Sequence, residues 1–226
     1  MGPAIPCSNR YEVLAEDLSQ EPIPGEVHEQ GWNRVKSRRS HRSRSTDSGG
    51  AHRTHRTKKQ VAIVGSSLVR GLGTMVNTEV LDTCCFTNPG CSTDQIAPRI
   101  REMTRDSDDV IVLAAGTKNV PRESVGTTMR KVGELIDSVR SIRPRAHIVI
   151  SQIPKRFDVA GLNHKIEKIN LFLTHKCSKL TNASLLVHSF DRGDYTKDGL
   201  HLNTGGKRKY ATGIQNILRK VFNIPR

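Results

Sequence analysis

Two residues near the C-terminal end have the types and the spacing of a proton-transfer pair. The stretch DGLHLNTGGKRKY places Asp198 three residues before His201, directly ahead of a basic helix-forming segment. A carboxylate that accepts a hydrogen bond from one imidazole nitrogen leaves the other nitrogen free to take a proton from a hydroxyl group. Taken alone, the short D-x-x-H pattern is explained more simply by an Asp that caps a helix beside an unrelated His. A catalytic role therefore requires a nucleophile from elsewhere in the chain.

A candidate nucleophile follows the first strongly apolar run. Ser66 and Ser67 come directly after VAIVG (61–65) and precede a predicted helix. A hydroxyl at this position lies near the positive end of a helix dipole and can act as a nucleophile, although an N-cap serine is the alternative. The nearby glycines spell neither G-x-G-x-x-G nor a Walker A loop, which argues against a nucleotide site.

The elements that must position these residues are short apolar runs that alternate with amphipathic segments. The runs are four to eight residues long and rich in β-branched or aliphatic side chains, as expected for strands buried on both faces. Alternation of strands and helices predicts right-handed crossovers and a parallel sheet with helices on both faces. The predicted strands are VAIVG (61–65), VLDTCCF (80–86), DVIVLAAG (109–116), AHIVIS (146–151) and SLLVHS (184–189).

Helices are predicted where apolar residues recur at helical spacing. Ser92 and Gln95 have the spacing of a capping box at the start of the first such segment. The segments are STDQIAPRIREM (92–103), RESVGTTMRKVGELIDSVRSI (122–142), LNHKIEKINLFL (162–173) and a last helix from about 205 to 222.

Four loops are predicted to meet at one edge of the sheet. In an open parallel sheet, binding and chemistry take place at the carboxyl ends of the strands. The residues placed at that edge are Ser67 after the first strand, Gly90 after the second, Lys118 and Asn119 after the third, and Asp198 and His201 before the last helix.

These residues, in this order, resemble the blocks of the SGNH hydrolase superfamily, the GDSL-type esterases, over about 60–222. The resemblance implies a flavodoxin-like, three-layer α/β/α sandwich with a five-stranded parallel sheet, and 60–226 as one domain. It also implies that Ser67 is the nucleophile, His201 the base and Asp198 its acid, while the Gly90 amide and the position of Lys118 belong to the oxyanion site. The implied reaction is hydrolysis of a small-molecule carboxylic ester through an acyl-serine, without metal or cofactor.

The sequence departs from this family in two places. Ser66 stands where the family usually has Asp, and Lys118 stands where the oxyanion Asn belongs, with Asn119 one position later. The second departure predicts weak activity, or alternatively a scaffold that has lost catalysis and binds nucleic acid. The resemblance is nearest to SGNH domains of invertebrate retroelement-related proteins, and CSNRYEVL (7–14) is similar to segments that precede such domains.

The first 59 residues show no apolar periodicity, and we predict a disordered N-terminal region. Within it, 34–59 contains ten Lys or Arg residues and one Asp, which gives a net charge of +9. Clustered cations bind phosphates by releasing counterions, so this tract predicts RNA or DNA binding. A solubilising tail or a nuclear import signal is the alternative. The densest part, RVKSRRSHRSRS, contains Arg38, Arg39, Arg42 and Arg44.

The cysteines, the histidines and the hydropathy of the chain bear on metal binding and on cellular location. The five cysteines form no C-x-x-C pair, and His52 and His55 have no neighbouring Cys or acid, so we predict no metal site. The start MGPAIPCSNR lacks the pattern of a secretory signal, and no run reaches 18 apolar residues. We therefore expect an intracellular protein, cytoplasmic or nuclear, without a membrane partner.

Overall fold

A single sheet of apolar strands forms the centre of the fold. The computed structural model describes residues 33–36 and 58–225, and for 33–36 the backbone alone. The strands lie in the order β1-β3-β2-β4-β5-β6, and β2 to β6 are parallel. Their bounds are Asn33–Lys36 (β1), Lys59–Gly65 (β2), Leu81–Thr87 (β3), Val110–Ala114 (β4), His147–Ser151 (β5) and Ala183–Leu186 (β6). The predicted five-stranded parallel sheet is therefore confirmed.

The order of the strands creates a crevice beside β2. In register, Val61 pairs with Thr83 of β3 on one side and with Val110 of β4 on the other. The chain therefore leaves β2 in one direction and crosses back in the other to form β4. Connections that diverge from neighbouring strand ends leave a binding crevice between them, at the carboxyl edge of the sheet.

Helices cover both faces of the sheet, which confirms the predicted three layers. Alternate side chains of β2 point to opposite faces, so Val61 and Ile63 pack with one set of helices and Ala62 and Val64 with the other. The first set is α1 (Leu72–Val76) and α6 (Thr204–Phe222). The second set is α2 (Thr93–Ile96), α3 (Ile100–Met103), α4 (Val125–Ile142) and α5 (Leu162–Ser178). No helix in the described part of the chain is long and apolar enough to cross a membrane.

β1 is not predicted by the sequence pattern, and it lies within the region expected to be disordered. Asn33–Lys36 pairs antiparallel with β3, with Asn33 opposite Thr87 and Lys36 opposite Cys84. An edge strand is held by backbone hydrogen bonds to its one neighbour, so it needs no apolar pattern of its own. The remaining expectations for 1–57 lie outside the described residues.

The segment 92–103 was predicted as one helix and instead forms two short helices. α2 ends at Ile96, the tighter 3-10 turn Ala97–Arg99 follows, and α3 begins at Ile100. Pro98 lies within that turn, where its ring and missing N–H are incompatible with a continuous α-helix. The capping spacing was informative, because the Ser92 backbone N–H donates to the Gln95 side chain at 3.0 Å.

Candidate active site

The end of β2 presents Ser67 to the crevice. Gly65 is the last residue of β2, and a Cβ at this position would lie 2.5 Å from the carbonyl oxygen of Ala114 in β4. Only glycine permits this approach of the two strand ends. Ser66 is extended and buried, and a 3-10 turn then begins at Ser67, whose side chain is partly exposed. Ser67 thus begins the turn that follows β2 and lines the cleft at this strand end.

The loop between β6 and α6 carries Asp198 and His201. Its two sides are joined where the Thr196 N–H donates to the carbonyl of His201 at 2.8 Å. At its tip, Gly199 has a φ of 69°, and a Cβ there would lie 2.7 Å from the carbonyl carbon of Phe157. The Phe157 N–H donates to the Gly199 carbonyl at 2.8 Å, which ties the loop to the segment after β5. Backbone contacts therefore fix the position of the Asp–His pair.

Ser67, His201 and Asp198 form a continuous chain of hydrogen bonds. The Ser67 Oγ lies 3.1 Å from His201 Nε2, and His201 Nδ1 lies 2.6 Å from Asp198 Oδ2. Because a carboxylate only accepts hydrogen bonds, its contact with Nδ1 places the imidazole proton on that nitrogen. Nε2 is then free to accept a proton from Ser67, as a general base requires.

Asp198 is held in its charged form by four hydrogen-bond donors. Oδ2 faces His201, while Oδ1 accepts from the Thr196 hydroxyl at 2.6 Å and from the N–H groups of Leu200 at 2.9 Å and His201 at 3.0 Å. The Thr196 hydroxyl first, then the side chain and N–H of His201 and the Leu200 amide, lower the pKa of Asp198 well below its usual range. These hydrogen bonds therefore favour the charged form of the carboxylate.

Gly90 lies at the mouth of the same cleft, where β3 ends. It adopts a φ of 72°, and within the described part of the chain its N–H has no hydrogen-bond acceptor. Ser67, Gly90 and Lys118 all line this cleft, whose volume is about 550 Å³. The partly buried Lys118 brings its Nζ to 3.8 Å from the position that a Cβ on Gly90 would occupy. A free amide and an ammonium group thus lie beside each other at the candidate oxyanion site.

Asn119 does not lie in the cleft lining, in contrast to the sequence-based expectation. Its side chain is only 1% exposed. Oδ1 accepts from the Thr93 N–H at 3.1 Å, and Nδ2 donates to Glu123 Oε1 at 3.0 Å. With both ends of its amide engaged, Asn119 joins the start of α2 to the loop after β4. The turn in which the Asn119 N–H bonds to Gly116 directs this side chain inward and leaves Lys118 facing the cleft.

Arg156 is a site residue that sequence reasoning missed. It follows β5, its side chain is 8% exposed, and it forms a close ion pair with Asp158. Its Nη1 also donates to the carbonyl of Thr117 at 3.0 Å, so it supports the loop that carries Lys118. The guanidinium group of Arg156 lowers the pKa of Asp158. The signal was available, because Arg156 follows the fourth predicted strand at the same edge of the sheet.

The described residues in and beside this cleft offer neither a reactive thiol nor a metal site. Burial raises the pKa of the Cys91 thiol, next to Gly90, to about 11, so this thiol stays neutral. No group of three or more His, Cys, Asp or Glu side chains within 58–225 could hold a metal ion. The predicted nucleic-acid residues, Arg38, Arg39, Arg42 and Arg44, and the histidines His52 and His55 lie outside the described residues.

Comparison with solved structures identifies the same architecture in bacterial enzymes. The lipase/acylhydrolase from Enterococcus faecalis superposes with a TM-score of 0.61 at 14% identity and covers 72% of this chain and 96% of its own. A GDSL-like lipase from Bacteroides thetaiotaomicron gives 0.59 at 17% identity, with 72% and 89% covered. A family 3 carbohydrate esterase from Clostridium thermocellum gives 0.57 at 18%, with 73% and 99% covered. At these identities the similarity establishes a shared fold.

Sequence comparison adds nothing to this structural similarity. No family model matches the chain. No curated protein matches it significantly.

Proposed function

We propose that this protein is a serine esterase of the SGNH hydrolase type, which hydrolyses carboxylic esters through an acyl-serine intermediate. The observation that carries the proposal is the hydrogen-bonded chain from Ser67 through His201 to Asp198, with contacts of 3.1 and 2.6 Å. The shared fold supports it, because the structural neighbours include a lipase/acylhydrolase and a carbohydrate esterase.

In the first half of the reaction, the Ser67 Oγ attacks the ester carbonyl carbon while its proton passes to His201 Nε2. The Asp198 carboxylate stabilises the imidazolium ion that forms. The carbonyl oxygen becomes an oxyanion, to which the free N–H of Gly90 can donate. When the C–O bond breaks, the imidazolium returns its proton to the departing oxygen, which leaves as an alcohol.

In the second half, water replaces the alcohol beside His201. The imidazole takes a proton from this water, whose oxygen attacks the acyl carbon. The proton then returns to the Ser67 oxygen as the acyl bond breaks, so the carboxylic acid leaves and the hydroxyl is regenerated. Each step uses the imidazole tautomer that the Asp198 contact favours.

We expect Lys118 to limit the turnover of this esterase. A donor to an oxyanion is most effective when it is already aimed at the position of the developing charge. The Lys118 ammonium is at the end of a flexible stem and is strongly hydrated, so it must be ordered and partly dehydrated before it can donate. We expect low turnover with measurable dependence on Ser67.

The test uses the full chain with p-nitrophenyl acetate and p-nitrophenyl butyrate. Ser67→Ala removes the nucleophile, and its rate should fall to that of the uncatalysed reaction. Ser66→Ala is the matched control, because it deletes the neighbouring hydroxyl, which has no place in the hydrogen-bonded chain. Activity that survives in Ser67→Ala and disappears in Ser66→Ala would overturn the assignment.

We infer a second candidate function, nucleic-acid binding through the basic tract 34–59. Its net charge of +9 supports the inference, because such tracts bind phosphates by counterion release. The predicted resemblance to SGNH domains of retroelement-related proteins remains a prediction and belongs to this same proposal. Replacing Arg38, Arg39, Arg42 and Arg44 with Gln should weaken RNA binding and flatten its salt dependence in a filter-binding titration. Unchanged affinity and salt slope would exclude the tract as the binding element.

A further inference from the structure

Positive charge dominates the lining of the cleft around Ser67. Among the described residues that line it, five are cations and none is Asp or Glu. Asp198, which is adjacent, is already engaged by four hydrogen-bond donors. The five cations are Arg70, Lys118, Arg122, Arg156 and Lys207.

Four of these cations have no compensating charge. Arg156 is neutralised by Asp158 and donates to a backbone carbonyl. The other four form no ion pair with any carboxylate of the described residues. Unpaired like charges around a concave surface create a positive potential that attracts anions.

Each unpaired cation belongs to a turn that also carries a site residue. The Arg70 N–H bonds to the Ser67 carbonyl at 3.2 Å, so it closes the turn of the candidate nucleophile. Arg122 bonds in the same way to Asn119, directly after Lys118, and Lys207 lies in the first turn of α6 after His201. These residues therefore line the same cleft as Ser67 and His201, and an anion bound there would share the cleft with the ester.

We propose that the cleft binds a small ester whose alcohol or acyl part carries a phosphate group. This proposal rests on the esterase function proposed above and names its substrate class. A cleft of about 550 Å³ has the size of a small-molecule site, which favours a compact ester over a polymer. The guanidinium groups of Arg70 and Arg122 match phosphate oxygens in a bidentate geometry, and the lysines add point charges. Four unpaired cations balance a dianionic phosphate better than a single carboxylate.

The experiment compares two acetate esters with similar phenol leaving groups. One is 4-acetoxyphenyl phosphate and the other is the neutral 4-methoxyphenyl acetate, with acetate release as the readout for both. We expect the full chain to have a kcat/KM about tenfold higher for the phosphate ester. Arg122→Gln and Lys207→Gln should each lower the ratio of the two kcat/KM values about threefold to tenfold. Because the readout is the ratio of two kcat/KM values for the same protein, a smaller folded fraction lowers both values equally and leaves the ratio unchanged.

The matched control lies on the same helix as Lys207. Lys220 is 13 residues later in α6, about 20 Å along the helix axis, and it does not line the cleft. Lys220→Gln changes the net charge equally, so it should leave the ratio unchanged. Added salt should lower the ratio in the unsubstituted chain, because ions screen the cations of an open cleft.

The outcomes separate this inference from the proposed function. Ser67-dependent hydrolysis of both esters, with a ratio near one that neither substitution changes, overturns the phosphate site and leaves the esterase intact. Absence of hydrolysis of either ester overturns the esterase. A calorimetric titration with phenyl phosphate then decides the anion site: binding at least about fivefold weaker in the Arg122→Gln/Lys207→Gln double variant supports it, and equal affinity or no binding overturns it.

Discussion

Replacing Asp198 with Asn should put the imidazole proton on the wrong nitrogen. Three donors face Oδ1 of residue 198, the Thr196 hydroxyl and the N–H groups of Leu200 and His201. An Asn side chain satisfies them only with its carbonyl oxygen at that position. Its NH2 group then faces His201 Nδ1, which must accept, so the imidazole proton moves to Nε2 and Ser67 loses its base.

The expected decrease in kcat/KM follows from these contacts. Turning the amide over would break two backbone hydrogen bonds and oppose N–H groups, which costs about 2 to 3 kcal/mol. The competent tautomer is therefore a minor species. Loss of the carboxylate removes about 2 kcal/mol of stabilisation from the imidazolium ion. A total of about 4 to 5 kcal/mol corresponds to a decrease of about a thousandfold in kcat/KM.

The assay has a kinetic and a spectroscopic part. The kcat/KM for p-nitrophenyl acetate is compared between the unsubstituted chain, Asp198→Asn and Asp137→Asn, a control with the same chemistry at an exposed ion pair on α4. Nitrogen NMR of the His201 ring reports which nitrogen carries the proton, independently of turnover. A variant Asp198→Asn with activity within tenfold of the unsubstituted chain, or one that keeps the proton on Nδ1, would refute this reasoning.

Three further predictions concern the oxyanion site, the partly buried His188 and the loop that carries Asp198 and His201. Lys118→Asn should raise kcat/KM for a neutral ester about tenfold, since a short amide is better preorganised; equal or lower values would mean that Lys118 is an effective donor or lies outside the oxyanion site. Burial lowers the pKa of His188 from 6.5 to about 4. Between these two pH values the imidazole is protonated in the unfolded chain and neutral in the folded one. The free energy of unfolding should therefore decrease by up to about 3 kcal/mol as pH falls from 7 to 4. Urea denaturation should show a smaller decrease in His188→Phe, and an identical pH dependence would contradict the burial argument. Gly199→Ala, at a φ of 69° and with its Cβ against Phe157, should reduce esterase activity at least about tenfold while circular dichroism shows a folded protein, and full activity would show that the loop tolerates the change.

The strands and the meeting of the candidate site loops were predictable from the sequence because each depends on local patterns. Runs such as VAIVG (61–65) are buried on both faces of the sheet, so the whole run is free of charged and polar side chains and marks a strand in the sequence. Once five such strands are parallel, their carboxyl ends share one edge, and the positions of Ser67 and His201 follow from chain order. The structure places these two side chains 3.1 Å apart.

The features that were missed depend on contacts between distant segments. β1 (Asn33–Lys36) is held by backbone pairing with β3, which its own residues do not encode as an apolar pattern. Asn119 and Lys118 are adjacent in sequence, and only the turn after Gly116 decides which of them faces the cleft. The position of Arg156 after a predicted strand can be read from the sequence, but its hydrogen bond to a carbonyl 39 residues earlier cannot. Local patterns carry no information about such partners.

The most direct test of the central claim, that His201 activates Ser67, is covalent labelling of the full chain with diisopropyl fluorophosphate. In this reaction the Ser67 oxygen attacks phosphorus, fluoride leaves, and the hydroxyl proton passes to His201. Intact-mass spectrometry should show one adduct that maps to Ser67 and is absent, over the same time, in His201→Ala. No adduct on Ser67, or equal labelling of Ser67 in the two proteins, would contradict the account.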